Sequence, residues 1–525
     1  MTPTSESAAS GTGGYWAKKF MNGVLWNWIG VIASFFTGFF LSPYIIHNLG
    51  DQRYGVWALA FAFIDYFILF DLGFKSAVVN LVARLRVDNQ EEQINAIFSA
   101  ATLYFTGMAV LLVAITWSIA PYLHYFLKIS PAYQSDFVFL IRAVGVGWAS
   151  IIASNVFGAC LEAFQNFKSQ NRILIVCLIL RSGGCALVIR AGYGLKAMGV
   201  AVTVSWLANY VLSYTAARSA FPAMRLSLRR VRLSTLKEIA SYGIHVFAAG
   251  LGSIVLNQGP PILVGHYQSE AFVGYYTLPS RLLQYVVELV TRIGYVTMPN
   301  AAELGAAGKK KEIMALGTYL NRYCLALFVP LSLFLIVYGR ELIIDWVGVS
   351  FAEHASALLA VLAVSTTLTV AGQFNSGMIL FGLAKHETYS KSLIVEGVLG
   401  LAVMLFVIPR YGILGAAYVA AGFAVLNRAI VTPYLLCRLM DFSLARYLAD
   451  IYVKPLLAGI PVLVYAMYIK SHWIPGTNWF QLIACIALIA IPYYILCGFV
   501  AVEPDHRAVL REWIAAHLGR LRIPG

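Results

Sequence analysis

Apolar residues run through this chain in long blocks separated by short polar connections. Fourteen blocks stand out, at residues 23–47, 54–82, 94–120, 136–161, 171–190, 195–217, 238–265, 271–300, 312–338, 355–382, 389–408, 412–436, 450–469 and 479–502. A helix needs about 20 predominantly apolar residues to cross the hydrocarbon of a bilayer, and each block reaches or approaches that length. Inside hydrocarbon a segment must satisfy its own backbone hydrogen bonds, so blocks of this kind are predicted as helices. The pattern predicts an all-α polytopic membrane protein of about fourteen transmembrane helices.

Composition agrees. The 525 residues are 60% hydrophobic and 12% charged, against roughly 25% charged in soluble domains. Mean hydropathy is +0.75. A water-soluble core of this size has too little volume to hide so much apolar surface.

The net charge of +14 does not indicate a nucleic-acid partner, because the basic residues sit in short connections rather than on one soluble face. They report topology instead, since cytoplasmic connections collect Lys and Arg. With the N-terminus inside, the inner connections hold 24 basic residues and the outer ones seven. This predicts cytoplasmic N- and C-termini and an even number of spans.

The most basic connection, Arg218 to Lys237, divides the chain near its middle and prompts a search for a repeat. A shift of 219 residues lays Tyr54-Gly55-Val56-Trp57 on Val273-Gly274-Tyr275-Tyr276, and Leu174-Ile175-Val176 on Leu393-Ile394-Val395. A shift of 218 lays Tyr193-Gly194 on Tyr411-Gly412. Matches at nearly one offset, each at the same point in the helix order, predict two related halves of six helices, a parallel repeat of the kind found in secondary transporters. The expected organisation is a disordered cytoplasmic tail (1–22), an N-lobe (23–220), a basic linker (221–237), a C-lobe (238–440), two further spans (441–502) and a cytoplasmic amphipathic tail (503–525). A cleft between two such lobes could open to either side by rocking.

Charges inside spans are costly and face a bundle interior or a wet cavity. In the eighth block Arg281, Glu288 and Arg292 fall within about 20° of one line at 100° per residue, with Gln284, Tyr285 and Tyr295 close by. This polar stripe is expected to line the cleft and bind substrate. A salt-bridge ladder between Glu288 and Arg292 is the structural alternative. Asp65, which the repeat maps onto Gln284, is the expected coupling or gating group, and Asp71 with Lys75 an internal strut. His245 is a candidate proton carrier, because histidine titrates near neutrality. Pro260 and Pro261 remove two helical donors and mark a candidate hinge. Arg142, Arg181, Glu396 and Arg428 are single intramembrane charges whose partners the sequence does not name.

The seven cysteines form no CxxC or Cys/His cluster, so neither a disulfide framework nor a metal site is expected. No GxSxG, HExxH or Walker A motif occurs, and the outer connections are too short for a catalytic domain. The chain is not expected to be an enzyme or to hold a cofactor.

The stretch from Trp26 to Leu85 carries Leu49-Gly50, Tyr54-Gly55-Val56-Trp57-Ala58 and Asp71-Leu72-Gly73. With Val273-Gly274-Tyr275-Tyr276 and Tyr411-Gly412-Ile413-Leu414-Gly415-Ala416-Ala417, it resembles the polysaccharide transporters, or O-antigen flippase-like proteins, of the multidrug/oligosaccharidyl-lipid/polysaccharide exporter superfamily. The resemblance implies two six-helix lobes, often with two extra helices, in a bacterial cytoplasmic membrane. It implies export of an undecaprenyl-diphosphate-linked oligosaccharide to the outer leaflet by alternating access. The expected partners are the lipid-linked glycan, membrane lipids and glycan polymerase machinery, with no nucleic acid. The chain is expected to act as a monomer, with Na+ or H+ as the candidate coupling ion. Six intramembrane cations against four carboxylates lean toward an anionic substrate. A multidrug or metabolite antiporter of the same superfamily is the alternative reading. A glycan polymerase or ligase would need a large catalytic outer loop.

Overall fold

The structure is a computed structural model, and it describes residues 30, 32–87, 90–475 and 478–508. The expected N-terminal tail, and the amphipathic segment beyond residue 508, lie outside these. Within them the side chains of residues 241–253 and 289–296 are among those not described.

The secondary structure of the described residues is helical. The first unit opens with α1 (Ile32–Leu49), α2 (Asp51–Asp65), α3 (Phe74–Val87), α4 (Glu91–Ile119) and the short α5 (Leu123–Phe126). It continues with α6 (Pro131–Ala163), α7 (Phe167–Arg190), α8 (Leu195–Ala220) and α9 (Leu233–Tyr267). Then follow α10 (Glu270–Ala306), α11 (Lys310–Val347), α12 (Val349–Gly382), α13 (His386–Ala424), α14 (Thr432–Met440), α15 (Leu444–His472) and α16 (Trp479–Val500). Each of the fourteen apolar blocks contains helix, so the chain is an all-α polytopic membrane protein.

Three blocks depart from single rods. The second breaks into α2 and α3 across a 3-10 segment, Tyr66–Asp71, where Leu72 and Gly73 both take positive φ. The eleventh and twelfth blocks run on through α13, which kinks at Gly412 (φ 61°, ψ −149°). That backbone conformation is open almost only to glycine. A π-helical segment, Val425–Val431, then leads into α14. Helix starts follow local chemistry: Asn166, Ser443 and Asn478 each accept a hydrogen bond from a first-turn amide, offsetting donors that a helix leaves unpaired.

The chain divides into two compact units, Met1–Gly274 and Tyr275–Gly525. In the first, α6 packs against α2, α3, α4 and α8. Small residues make this possible, as at helix–helix interfaces in lipid generally. A methyl group at Gly147 would lie 2.6 Å from Trp206, and one at Gly145 2.8 Å from Thr116.

The first unit extends past the basic linker expected at 221–237, because α9 packs on α2 and α3. The turn after α9 is also fastened to it. Ser130 Oγ donates to Glu270 at 2.6 Å, Lys128 N donates to Gly265 O at 2.8 Å, and Lys128 Nζ donates to Tyr267 O at 2.9 Å. The repeat-related motifs meet here. Gly55 faces the Glu270 carbonyl, where a Cβ would fall at 1.9 Å, and Gly274 faces Tyr54 and Gly55.

In the second unit α11 is the central rod, packed on α12, α15 and α16. Its core carries a connected polar network. Asn375 accepts from Thr297 Oγ1 and donates to Asn321 Oδ1, both at 3.0 Å. Asn321 Nδ2 donates to Ser376 at 2.9 Å and to Tyr447 Oη at 3.0 Å. Buried polar groups are stable in such positions when they satisfy one another.

Candidate functional site

The stripe on α10 is the first place to look. Arg281, Gln284 and Glu288 are exposed and Tyr285 is half-buried, while Leu282 and Leu283 between them are buried. The helix therefore turns its charged edge away from its own bundle's packing. The side chains of Arg292 and Tyr295 lie outside the described residues. Among the described residues no carboxylate lies within ion-pair distance of Arg281. A guanidinium so placed can donate two parallel hydrogen bonds to a phosphate.

Asp65 ends α2 and is half-buried. Its Oδ2 accepts from Gln258 Nε2 of α9 at 3.2 Å. Pro260 and Pro261 are buried two and three residues further on, inside a helix that continues to Tyr267. They are interior to α9 rather than at its end, and α9 passes through them without a break. The side chain of His245, also on α9, lies outside the described residues.

Lys75 does not take Asp71 as its ion-pair partner. Asp71 Oδ1 accepts the backbone N–H of Lys75 at 3.1 Å, capping α3 after the break. The Lys75 ammonium pairs with Glu162 of α6 at 2.7 Å, and Glu162 also accepts from Gln170 at 2.6 Å. Glu162 escaped the sequence reading because it stands just past the apolar block of α6. The cap itself has a signal, since Asp-Leu-Gly is a turn sequence.

Glu396 and Arg428 find each other. Arg428 Nε donates to both oxygens of Glu396, at 2.9 and 3.2 Å, and Asn427 Nδ2 adds a bond at 2.7 Å. Both donors stand on the π-helical segment. π segments often occur where function needs a side chain re-aimed. Arg142 donates to Trp117 O at 3.4 Å and lies over the Trp117 ring. Arg181 is half-buried on α7.

Arg322, in the ninth block, is a further intramembrane charge. Its side chain is 3% exposed, yet it carries Glu503 at 2.6 Å and donates to Asp450 O at 2.6 Å. A cation beside Asn321 in an apolar block was the available signal. Separately, a groove of about 590 Å³ between α4, α6 and α8 is lined by Val110, Val113, Val146, Ala149, Leu207 and Tyr210. It is apolar and holds none of the charged residues.

Residues 49–356 match the family described as polysaccharide biosynthesis protein. A Shigella flexneri protein named as a candidate O-antigen transporter is 21% identical over 408 residues, covering 75% of this chain and 92% of that protein. Among solved structures, lipid II flippase MurJ in an inward closed conformation superposes with TM-score 0.70 at 13% identity, over 92% of this chain and 99% of that one. An inward-facing multidrug resistance MATE family transporter gives TM-score 0.66 at 14% identity, over 79% and 96%. The chain belongs to the family described as polysaccharide biosynthesis protein, and it has the fold of the multidrug/oligosaccharidyl-lipid/polysaccharide exporter superfamily.

Proposed function

We propose that this protein moves an undecaprenyl-diphosphate-linked oligosaccharide from the cytoplasmic to the outer leaflet by alternating access. It acts in a bacterial cytoplasmic membrane as a monomer with both termini inside, beside glycan polymerase machinery. The observation that carries this reading is the exposed edge of α10, with Arg281 lacking an ion-pair partner among the described residues. The diphosphate is the most highly charged part of such a substrate, and moving it through the bilayer core uncompensated is prohibitive. Arg281 and Arg292 supply the cationic ligands. Gln284, Tyr285, Glu288 and Tyr295 extend the polar surface for sugar hydroxyls. Asp65, bonded to Gln258 next to the prolines of α9, is the coupling or gating carboxylate, with Na+ or H+ as the coupling ion. The names of the Shigella relative and of the MurJ structure, concerning O-antigen and lipid II, support the substrate class.

The test is surface glycan display in a cell whose own copy is deleted and replaced by variants at matched membrane levels. Losing a charged hydrogen-bonding partner costs about 1.5–3 kcal/mol, so Arg281→Ala is expected to lower export by about ten- to a hundredfold, and the Arg281→Ala/Arg292→Ala pair to abolish it. Wild-type display by the double variant removes the site. Protection from cationic drugs with no effect on glycan display would favour the antiporter reading.

A further inference from the structure

The connection between α8 and α9 is the most basic in the chain, and it is held in one shape. Phe221 and Met224 are buried at 6% and 1% exposure and anchor it. Two buried polar residues of α4 hold its backbone. Asn95 Oδ1 accepts from Arg225 N at 2.6 Å, Asn95 Nδ2 donates to Ala223 O at 3.1 Å, and Ser99 Oγ accepts from Ser227 N at 3.1 Å. The Arg218 guanidinium donates to Met224 O, and Arg230 Nη1 donates to Arg225 O at 3.1 Å. These two arginines serve the turn itself.

What the turn presents is different. Arg225, Arg229 and Arg232 are exposed, and among the described residues none has a carboxylate within ion-pair distance. No acidic residue occurs in the sequence between Glu162 and Glu238. Between the arginines, Leu226 and Leu228 point outward, with Leu228 74% exposed. A rigid turn that alternates free guanidinium groups with outward leucines matches one kind of surface. Phosphate headgroups take the arginines, and the acyl boundary just beneath takes the leucines.

We infer that residues 225–232 form a docking turn for an anionic phospholipid surface, seated on the cytoplasmic leaflet in the topology that the charge distribution predicts. The occupant is the bilayer itself: the turn connects the ends of two spanning helices over only twelve residues, which keeps it near the interface. Its charge is of one sign and complements anionic lipid. The docking fixes the first unit against the leaflet from which substrate enters, independently of how α10 binds that substrate.

All seven native cysteines are buried, so a cysteine introduced on the turn can be labelled selectively. The full-length Leu228→Cys protein, carrying an environment-sensitive fluorophore, is placed in nanodiscs of phosphatidylcholine alone or with phosphatidylglycerol. A blue shift and rise in emission are expected only with phosphatidylglycerol. About 1 M salt, which shortens the screening length to about 3 Å, and the Arg225→Gln/Arg229→Gln/Arg232→Gln variant are each expected to abolish them. Equal emission in both discs, or a shift that survives the triple variant, overturns the inference. So does a shift that appears in neutral discs only when a lipid-linked diphosphate glycan is added, which would make the turn a substrate site. Native mass spectrometry of the unlabelled wild type and triple variant gives an independent count of bound phosphatidylglycerol. Unchanged retention in the triple variant counts against docking.

Discussion

Arg322 places a full charge where only 3% of its side chain meets solvent. A guanidinium is tolerated there because its donors are used. Nε donates to Asp450 O, and Nη1 donates to Glu503 Oε1 at 2.6 Å and to Ala501 O at 3.3 Å. The hydrogen bond from Arg322 holds the Glu503 carboxyl below the usual carboxylate range. Glu503 lies beyond the last span, and Lys454 approaches it at 3.4 Å from a half-buried position. Removing one partner of a buried pair leaves an uncompensated charge, which costs about 3–5 kcal/mol. Glu503→Gln is therefore expected to lower stability by about 3 kcal/mol, measured by thermal unfolding of the detergent-solubilised protein. Lys454→Ala is expected to cost under about 1 kcal/mol. The pH dependence follows from the sign of the shift. A carboxylate with a depressed folded pKa adds stability above its unfolded value of about 4.3, and that stability is lost as pH falls through the lower folded value. Acidification should thus destabilise the wild type more than Glu503→Gln, narrowing the stability gap between them. The sequence displays Arg322 as a cation in an apolar block. Its carboxylate partner stands 181 residues away, beyond the reach of any local pattern. The same holds for Glu396 with Arg428 and for Lys75 with Glu162.

At the scale of elements, glycine positions decide how closely helices meet. α2 approaches the α9–α10 turn at Gly55, where a Cβ would come within 1.9 Å of the Glu270 carbonyl oxygen. Backbone cannot yield as a flexible side chain does, so Gly55→Ala must push the two elements apart. Overpacking of this kind costs about 1–3 kcal/mol. Gly107→Ala is the control. No heavy atom lies within 4 Å of its added methyl group, and within α4 the change is expected to be neutral or to stabilise by up to about 1 kcal/mol. Thermal unfolding of the two variants in parallel checks both, and equal behaviour would contradict the packing at Gly55. The sequence repeat singled out Tyr54-Gly55 and Val273-Gly274 as equivalent. The fold brings these equivalents into contact, which the offset alone does not imply. The helical blocks were legible because hydropathy over about 20 residues is a local property. The interruptions were less so: the break after Asp65 keeps an apolar composition through Tyr66-Phe67-Ile68-Leu69-Phe70, and only the following Asp-Leu-Gly signals it.

At the scale of the molecule, the basic residues predict which side of the membrane each connection occupies. An impermeant maleimide should label Tyr193→Cys in intact cells, because the charge distribution predicts an outer connection there. Lys311→Cys should react only after the membrane is opened. Both positions are exposed, and the native cysteines are buried, so the background is low. The opposite labelling pattern would invert the topology and with it the cytoplasmic placement of the basic turn.

The amino-acid sequence alone determined that lipid is the solvent and where the spans fall. Each of these depends on composition summed along contiguous residues. The α10 stripe was also legible, since 100° per residue places Arg281, Gln284 and Glu288 on one face regardless of neighbours. Which charges neutralise one another was decided by tertiary structure. Partner choice depends on which helices become adjacent and how each is rotated, and a single added residue turns a side chain by 100°. Thus Asp71 became a cap, Lys75 turned to Glu162, and the basic linker became a shaped turn held by Asn95 and Ser99 of α4.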